Sequence, residues 1–179
     1  MKIETERLQI RKIGEDDLQE LFMIYRNEDT CRYLLHDAWN EENKNEYFIR
    51  MLNRDALSKD TAMQLACTVQ DKVIGTISAT YTDMPDTVEI GYVFSSEYSK
   101  HGYASEAIRA VMDKLFNEYN VHRIIANMDA RNCDSARLCE RLGMRKEAHF
   151  LKDYWNKGEW TDSFIYAILK EEWENIKIN

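Results

Sequence analysis

The stretch VEIGYVFSSEYSKHGYASEAIRAVMDKLFNEY, residues 88–119, decides the fold. Its first seven residues, Val88 to Phe94, alternate in side-chain character and read as a strand, with Glu89, Gly91 and Val93 on one face and Val88, Ile90, Tyr92 and Phe94 on the other. A loop over Ser95 to His101 then gives way to Gly102, and the period changes at once. Ala104, Ala107, Ile108, Val111, Met112, Leu115, Phe116 and Tyr119 recur at i, i+3, i+4, i+7 spacing, the clearest helix in the chain. A strand that ends in a glycine turn and runs straight into a helix aims several backbone N–H groups at one point, at the positive end of the helix. This is an arrangement that binds phosphate. Gly102 lets a ligand approach where a Cβ would intrude, and Lys100 and His101 add positive character beside it. Taken alone, the pattern also fits an ordinary loop-to-helix entry.

Outward from this segment the other elements fall into order. Arg123 to Met128 reads as a buried strand, and the intervening helix makes it parallel to the strand at 88–94. Asn132 to Leu142 reads as a short helix, capped by Asn132 and stopped by Gly143. Upstream, Ala62 to Val69 and Val73 to Thr80 flank a polar turn and form an antiparallel meander with 88–94. Leu8 and Ile10 mark an opening strand, Glu15-Asp16-Asp17 opens a helix, Glu41 to Leu57 is a second helical region, and Phe164 to Leu169 is a last strand. The expectation is an α/β fold over residues 1–179 as a single domain, with a mixed, mostly antiparallel central sheet of about seven strands flanked by helices.

Composition narrows the function. With 179 residues, 44% hydrophobic and 31% charged, the chain is long enough for a core of its own. No run approaches the roughly 20 apolar residues of a membrane helix, and the N-terminus lacks the apolar run of a signal peptide, so a cytoplasmic protein with no membrane association is expected. A net charge of -8 disfavours nucleic acid and weakly favours cationic partners. Cysteines at 31, 67, 133 and 139 have no C-x-x-C spacing and the histidines complete no ligand set, so no metal is expected and the thiols read as reduced and structural.

Several blocks resemble the GNAT acetyltransferases, in particular their RimJ/RimL-type branch. The superfamily's pyrophosphate loop is Q/R-x-x-G-x-G/A; here stands Ser99-Lys100-His101-Gly102-Tyr103-Ala104, followed by Ser105-Glu106-Ala107. Glu89-Ile90-Gly91-Tyr92 precedes it. Asn132-x-x-Ser135-x-Arg137 with Leu142-Gly143-Met144 is similar to the branch's N-x-x-S-x-R…L-G-F block. Thr5-Glu6-Arg7-Leu8-x-Ile10-Arg11 at the start, and Glu147, Asp153-Tyr154, Gly158, Asp162, Tyr166-x-Ile168-Leu169 and Glu172-Trp173 near the end, also fit. Ser99 stands where Gln or Arg is usual, His101 where the branch has Lys or Arg, and Met144 where it has Phe. Cys139 occupies the position, seven after Asn132, where many members place the tyrosine that protonates the departing thiolate.

The resemblance implies acetyl-CoA as co-substrate, with pantetheine held between two splayed central strands, and direct transfer to an amine without an acyl-enzyme. It implies cofactor contacts from Tyr92, Val93, Phe94, Lys100, His101, Gly102, Tyr103, Ala104, Ser105, Asn132 and Arg137. Glu89 is the candidate base, or else a substrate or structural carboxylate; Ser135 is the candidate acid, or else a helix cap. Tyr33, Trp39 and Trp155 are candidate acceptor contacts, or core aromatics. The acceptor is expected to be a protein N-terminal amine, with a small polyamine-type amine as the alternative and a non-catalytic CoA sensor as a third reading. The chain is expected to be a monomer or homodimer.

Overall fold

The computed structural model describes residues 1–178 and contains one eight-stranded sheet. In chain order the elements are β1 (Lys2–Glu4), β2 (Gln9–Lys12), α1 (Leu18–Tyr25), α2 (Glu28–Cys31), α3 (Lys44–Leu52), β3 (Met63–Val69), β4 (Lys72–Tyr81), β5 (Thr87–Phe94), α4 (Tyr103–Glu118), β6 (Arg123–Asp129), α5 (Cys133–Arg141), β7 (Arg145–Asn156), β8 (Glu159–Leu169) and α6 (Lys170–Ile178). The strands lie in the order β1-β2-β3-β4-β5-β6-β8-β7. Every neighbouring pair is antiparallel except β5–β6, which the α4 crossover makes parallel.

Two apolar clusters lie against this sheet. The larger one gathers Val88 and Ile90 of β5, the inward stripe of α4 (Ala107, Ile108, Val111, Met112, Leu115, Phe116), Leu138 and Cys139 of α5, and Trp173 of α6. The smaller one gathers Leu21, Phe22 and Tyr25 of α1, Cys31, Trp39 and Phe48, with Ala66 and Val73. The buried faces of both are the period-matched residues of each element.

The mixed α/β architecture with a mostly antiparallel sheet is as expected, with differences at short or weakly patterned elements. The extra strand is β1, whose three residues pair with β2 (Ile3 opposite Ile10) but are too few to show a period. The acidic run Glu15–Asp17 is a single 3-10 turn ahead of α1, and Asp17 does more than favour a helix dipole. It is 5% exposed, bridges both terminal nitrogens of Arg11 at 2.7 and 2.8 Å, and accepts the Gly14 N–H at 2.8 Å. The second helical region shrinks to α3. The last strand begins at Glu159 rather than at Phe164, because the hairpin with β7 carries it outward (Trp155 opposite Trp160). Helix α6 was not foreseen; Trp173 anchors it, 1% exposed, with its indole N–H donating to Asp113 at 2.6 Å.

Candidate active site

The parallel pair β5–β6 does not stay together. Its register covers Thr87–Arg123, Val88–Ile124 and Glu89–Ile125 and ends there, although β5 continues to Phe94 and β6 to Asp129. The strands therefore part at Glu89, and residues 90–94 turn one backbone edge to an open gap. A cleft of about 200 Å3 occupies that gap. Glu89, Gly91 and Tyr92 line it from β5, Asn127 and Asp129 from β6, and Asn132 and Ser135 from the head of α5; Tyr33, Leu34, Leu35 and Tyr154 also line it.

Glu89 stands where the strands separate. Its carboxylate is half-buried and has no hydrogen-bond or ion-pair partner among the described residues, and burial alone raises its pKa above the ordinary glutamate value. The other carboxylate of the cleft is in the opposite condition. Burial works to raise the pKa of Asp129, but two hydrogen bonds from the Arg131 side chain and one from its backbone N–H outweigh it and hold that pKa low. Arg131 also pairs with Glu159 at 2.8 Å and lies 6.0 Å from the ring centre of Tyr33.

At the other side of the gap, Asn132 caps α5, its side-chain oxygen accepting the Ser135 N–H at 3.1 Å. The capping expectation for Asn132 is met, and its Nδ2 has no partner among the described residues. The Ser135 hydroxyl does not cap; it lies 2.7 Å from the Tyr92 phenol. That phenol is also 3.3 Å from the Cys139 sulfur. Burial raises the pKa of Tyr92, reinforced by Cys139 and opposed by the Ser135 bond, so the ring stays a neutral donor. Burial likewise pushes the Cys139 thiol up to about 11, which makes it a poor nucleophile. A phenol thus reaches Cys139 after all, from β5 rather than from α5.

The loop before α4 leaves several backbone donors open. Lys100 and Gly102 have φ values of 63° and 81°, a left-handed course that tips successive N–H groups the same way. No backbone N–H of residues 100–105 donates to a protein acceptor among the described residues, and Gly102 caps α4 without a side chain. An anionic ligand fits these open donors. Tyr103, Ala104 and Ser105 form the first turn of α4, and the His101 ring stacks on Tyr103 at 5.6 Å. Residues 100–105 thus lie together at the N-terminal end of α4.

Other expected residues fall elsewhere. Trp39 is 3% exposed, stacked between Tyr25 and Tyr47 in the smaller core, so packing and not the cleft claims it. Trp155 projects from the hairpin, 57% exposed, and meets Trp160 edge-on, while its neighbours Tyr154 and Asn156 face the cleft. Tyr33 does line the cleft. Arg137 is exposed and ion-paired with Asp134 at 2.8 Å. Residues that sequence reasoning missed are the Tyr92 side chain, Asp129 with Arg131, and the Arg7–Glu106 pair beside the loop. The Tyr92 contact and the Arg7–Glu106 pair depend on tertiary contact, and only Arg131, two residues after Asp129, had a local signal.

No helix among the described residues is long and apolar enough to cross a membrane, and they include no cluster of three or more metal-ligating side chains.

Comparison with known proteins accords with this geometry. The model of the acetyltransferase (GNAT) domain matches residues 7–145. The chain is 34% identical to YnaD of Bacillus subtilis, an uncharacterized N-acetyltransferase, over 97% of this chain and 99% of that one. It is similar, at 32% identity over 47% of this chain and 43% of the other, to the ribosomal protein uS5-alanine N-acetyltransferase of Escherichia coli. Among solved structures, a GNAT-family acetyltransferase from Bacillus anthracis superposes with a TM-score of 0.84 at 32% identity, covering 96% of this chain and 99% of that one. The spermidine N-acetyltransferase of Vibrio cholerae, solved with CoA and spermine, shares the fold (TM-score 0.79, 18% identity, 96% and 100% coverage).

Proposed function

The chain belongs to the GNAT acetyltransferase family and is an acetyl-CoA-dependent N-acetyltransferase, and from that premise we propose that it acetylates the N-terminal amine of a protein by direct transfer. The observation that carries the reading is the state of Glu89: an unpartnered, partly desolvated carboxylate where β5 and β6 part. Residues 1–179 act in this reading as one domain, in the cytoplasm.

Acetyl-CoA supplies the activated acyl group. The open N–H groups of residues 100–105 hold its pyrophosphate, and the unzipped edge of Tyr92, Val93 and Phe94 aligns its pantetheine. Glu89, its pKa raised toward a useful range, takes the proton from the acceptor's ammonium, directly or through a water, and frees the nitrogen lone pair to attack. Ser135 donates a hydrogen bond to the departing sulfur. The Tyr92 phenol and the Ser135 hydroxyl share a hydrogen bond at 2.7 Å, which holds the serine oxygen in place beside the cleft.

Electrostatics separates the two acceptor classes. A polyamine carries several cations and calls for several free carboxylates. Of the two carboxylates lining the cleft, Asp129 is already satisfied by Arg131, which leaves Glu89. One carboxylate matches the single charge of an α-amine. Asn127, Asn156, Thr161 and Ser163 can meet the peptide groups that follow, and Tyr33, Leu35 and Tyr154 the first side chain. The polyamine alternative draws on the chain's net charge of -8 and has no such support inside the cleft. Mass spectrometry of the protein with acetyl-CoA, peptides of varied N-terminus, and spermidine tests the choice. Acetylation of peptides, with a rate set by their first residues, is expected; turnover of spermidine with none of any peptide would overturn it.

A further inference from the structure

Glu106 is an awkward residue for an anion site. It lies in the first turn of α4, one position beyond the open N–H groups, where a free carboxylate would offset the helix end and repel a phosphate. It is not left free. One carboxylate oxygen accepts from the Thr5 hydroxyl at 2.6 Å and the Arg7 N–H at 3.0 Å. The other accepts from Arg7 Nε at 2.7 Å and pairs with Arg7 Nη2 at 2.6 Å. The remaining guanidinium nitrogen, Nη1, donates to the His101 carbonyl at 2.9 Å, inside the loop itself. The guanidinium also covers the Tyr103 ring at 4.7 Å, the ring on which His101 stacks. Every nitrogen of this side chain thus makes a contact with Glu106 or the loop, which takes three of the five N–H groups a guanidinium carries.

We infer that Arg7 is a positioning residue for the pyrophosphate of acetyl-CoA: it cancels the charge of Glu106 at the head of α4 and pins the loop through the His101 carbonyl, so that the anion meets the helix end unopposed. The inference rests on reading residues 99–105 as the pyrophosphate loop. It gives the N-terminal segment, about a hundred residues distant in sequence, a part in cofactor binding that packing alone does not require.

The probe is CoA itself, with binding followed by calorimetric titration and thermal shift. Arg7→Met keeps an unbranched side chain but leaves Glu106 unneutralised, and is expected to weaken CoA binding about fivefold. Arg7→Met/Glu106→Gln is expected to recover most of that loss, because the repelling charge goes with its partner. Glu106→Gln alone is expected to bind CoA at least as tightly as wild type. In turnover, the KM for acetyl-CoA should rise in Arg7→Met by more than kcat falls. If the double variant is no better than Arg7→Met, charge cancellation is wrong and Arg7 acts through packing or direct contact. If Arg7→Met does not fold, Glu106→Gln decides: weaker CoA binding there overturns the inference. A wild-type protein that shows no response to CoA removes the loop reading itself, and the role of Arg7 with it.

Discussion

The two edges of β5 have opposite fates. On the β4 side the ladder is continuous, from Gly75 opposite Phe94 to Tyr81 opposite Val88. On the β6 side it stops after Glu89. The residues are the same and the strand is equally regular, so propensity does not separate the edges. Topology does: β4 joins β5 directly through residues 82–86 as a hairpin, whereas β6 is reached only through α4 and can diverge. The closed edge carries stability, and in the function proposed above the open edge carries chemistry, with backbone donors and acceptors withheld from the sheet.

Substitutions can break or sharpen that contrast. The largest effect is expected at the point of divergence. Glu89→Gln removes the base and nearly keeps the shape, so kcat should fall by about 10²–10⁴, with CoA affinity little changed by calorimetry. The loss should shrink at high pH, where the free amine is already present. Ile77→Ala, on the closed side, should do the reverse. Ile77 is 1% exposed in the larger core, and its truncation should cost about 2–5 kcal/mol in denaturant melts, while folded protein still binds CoA.

A smaller effect is expected from the pair facing the gap. Tyr92→Phe should lower kcat by about tenfold or less, the worth of one hydrogen bond. If Tyr92 works by orienting Ser135, the double variant Tyr92→Phe/Ser135→Ala should lose no more than Ser135→Ala. Additive losses would mean the two hydroxyls act separately.

The smallest effect concerns stability and pH. Burial raises the Glu89 pKa, so the native state holds that proton more tightly than the unfolded chain does. Below the unfolded value both states are protonated and nothing is lost. As pH rises through the native value, ionising the buried carboxyl costs the native state. Glu89→Gln should therefore raise the melting temperature slightly at about pH 8 and not at about pH 4. A variant equally stable at both would mean that Glu89 is as well solvated when native as when unfolded.

Much of this was legible in sequence, for identifiable reasons. α4 shows a full helical period, and its crossover dictated the parallel pair. Gly102 and Asn132 announced a loop and a cap by residue type, and φ of 81° and the Asn132 bond to Ser135 agree. Alternation set Glu89 on one face of its strand with Gly91 and Val93, while the gap between splayed strands was implied by the family resemblance. What alternation and spacing cannot give is who meets whom across the fold. Tyr92 and Ser135 are 43 residues apart, and nothing local pairs them. The same holds for Trp39, whose aromatic ring suited a binding wall as well as a core until Tyr25 and Tyr47 enclosed it.

The central claim is that the open edge of β5, with the loop before α4, receives acetyl-CoA. Hydrogen exchange of backbone amides, read by mass spectrometry with and without CoA, tests it most directly. The account predicts that CoA slows exchange within residues 90–94 and 100–105 and leaves β4, already paired along its length, unchanged. Protection confined to other segments, with residues 90–94 and 100–105 exchanging as before, would contradict it.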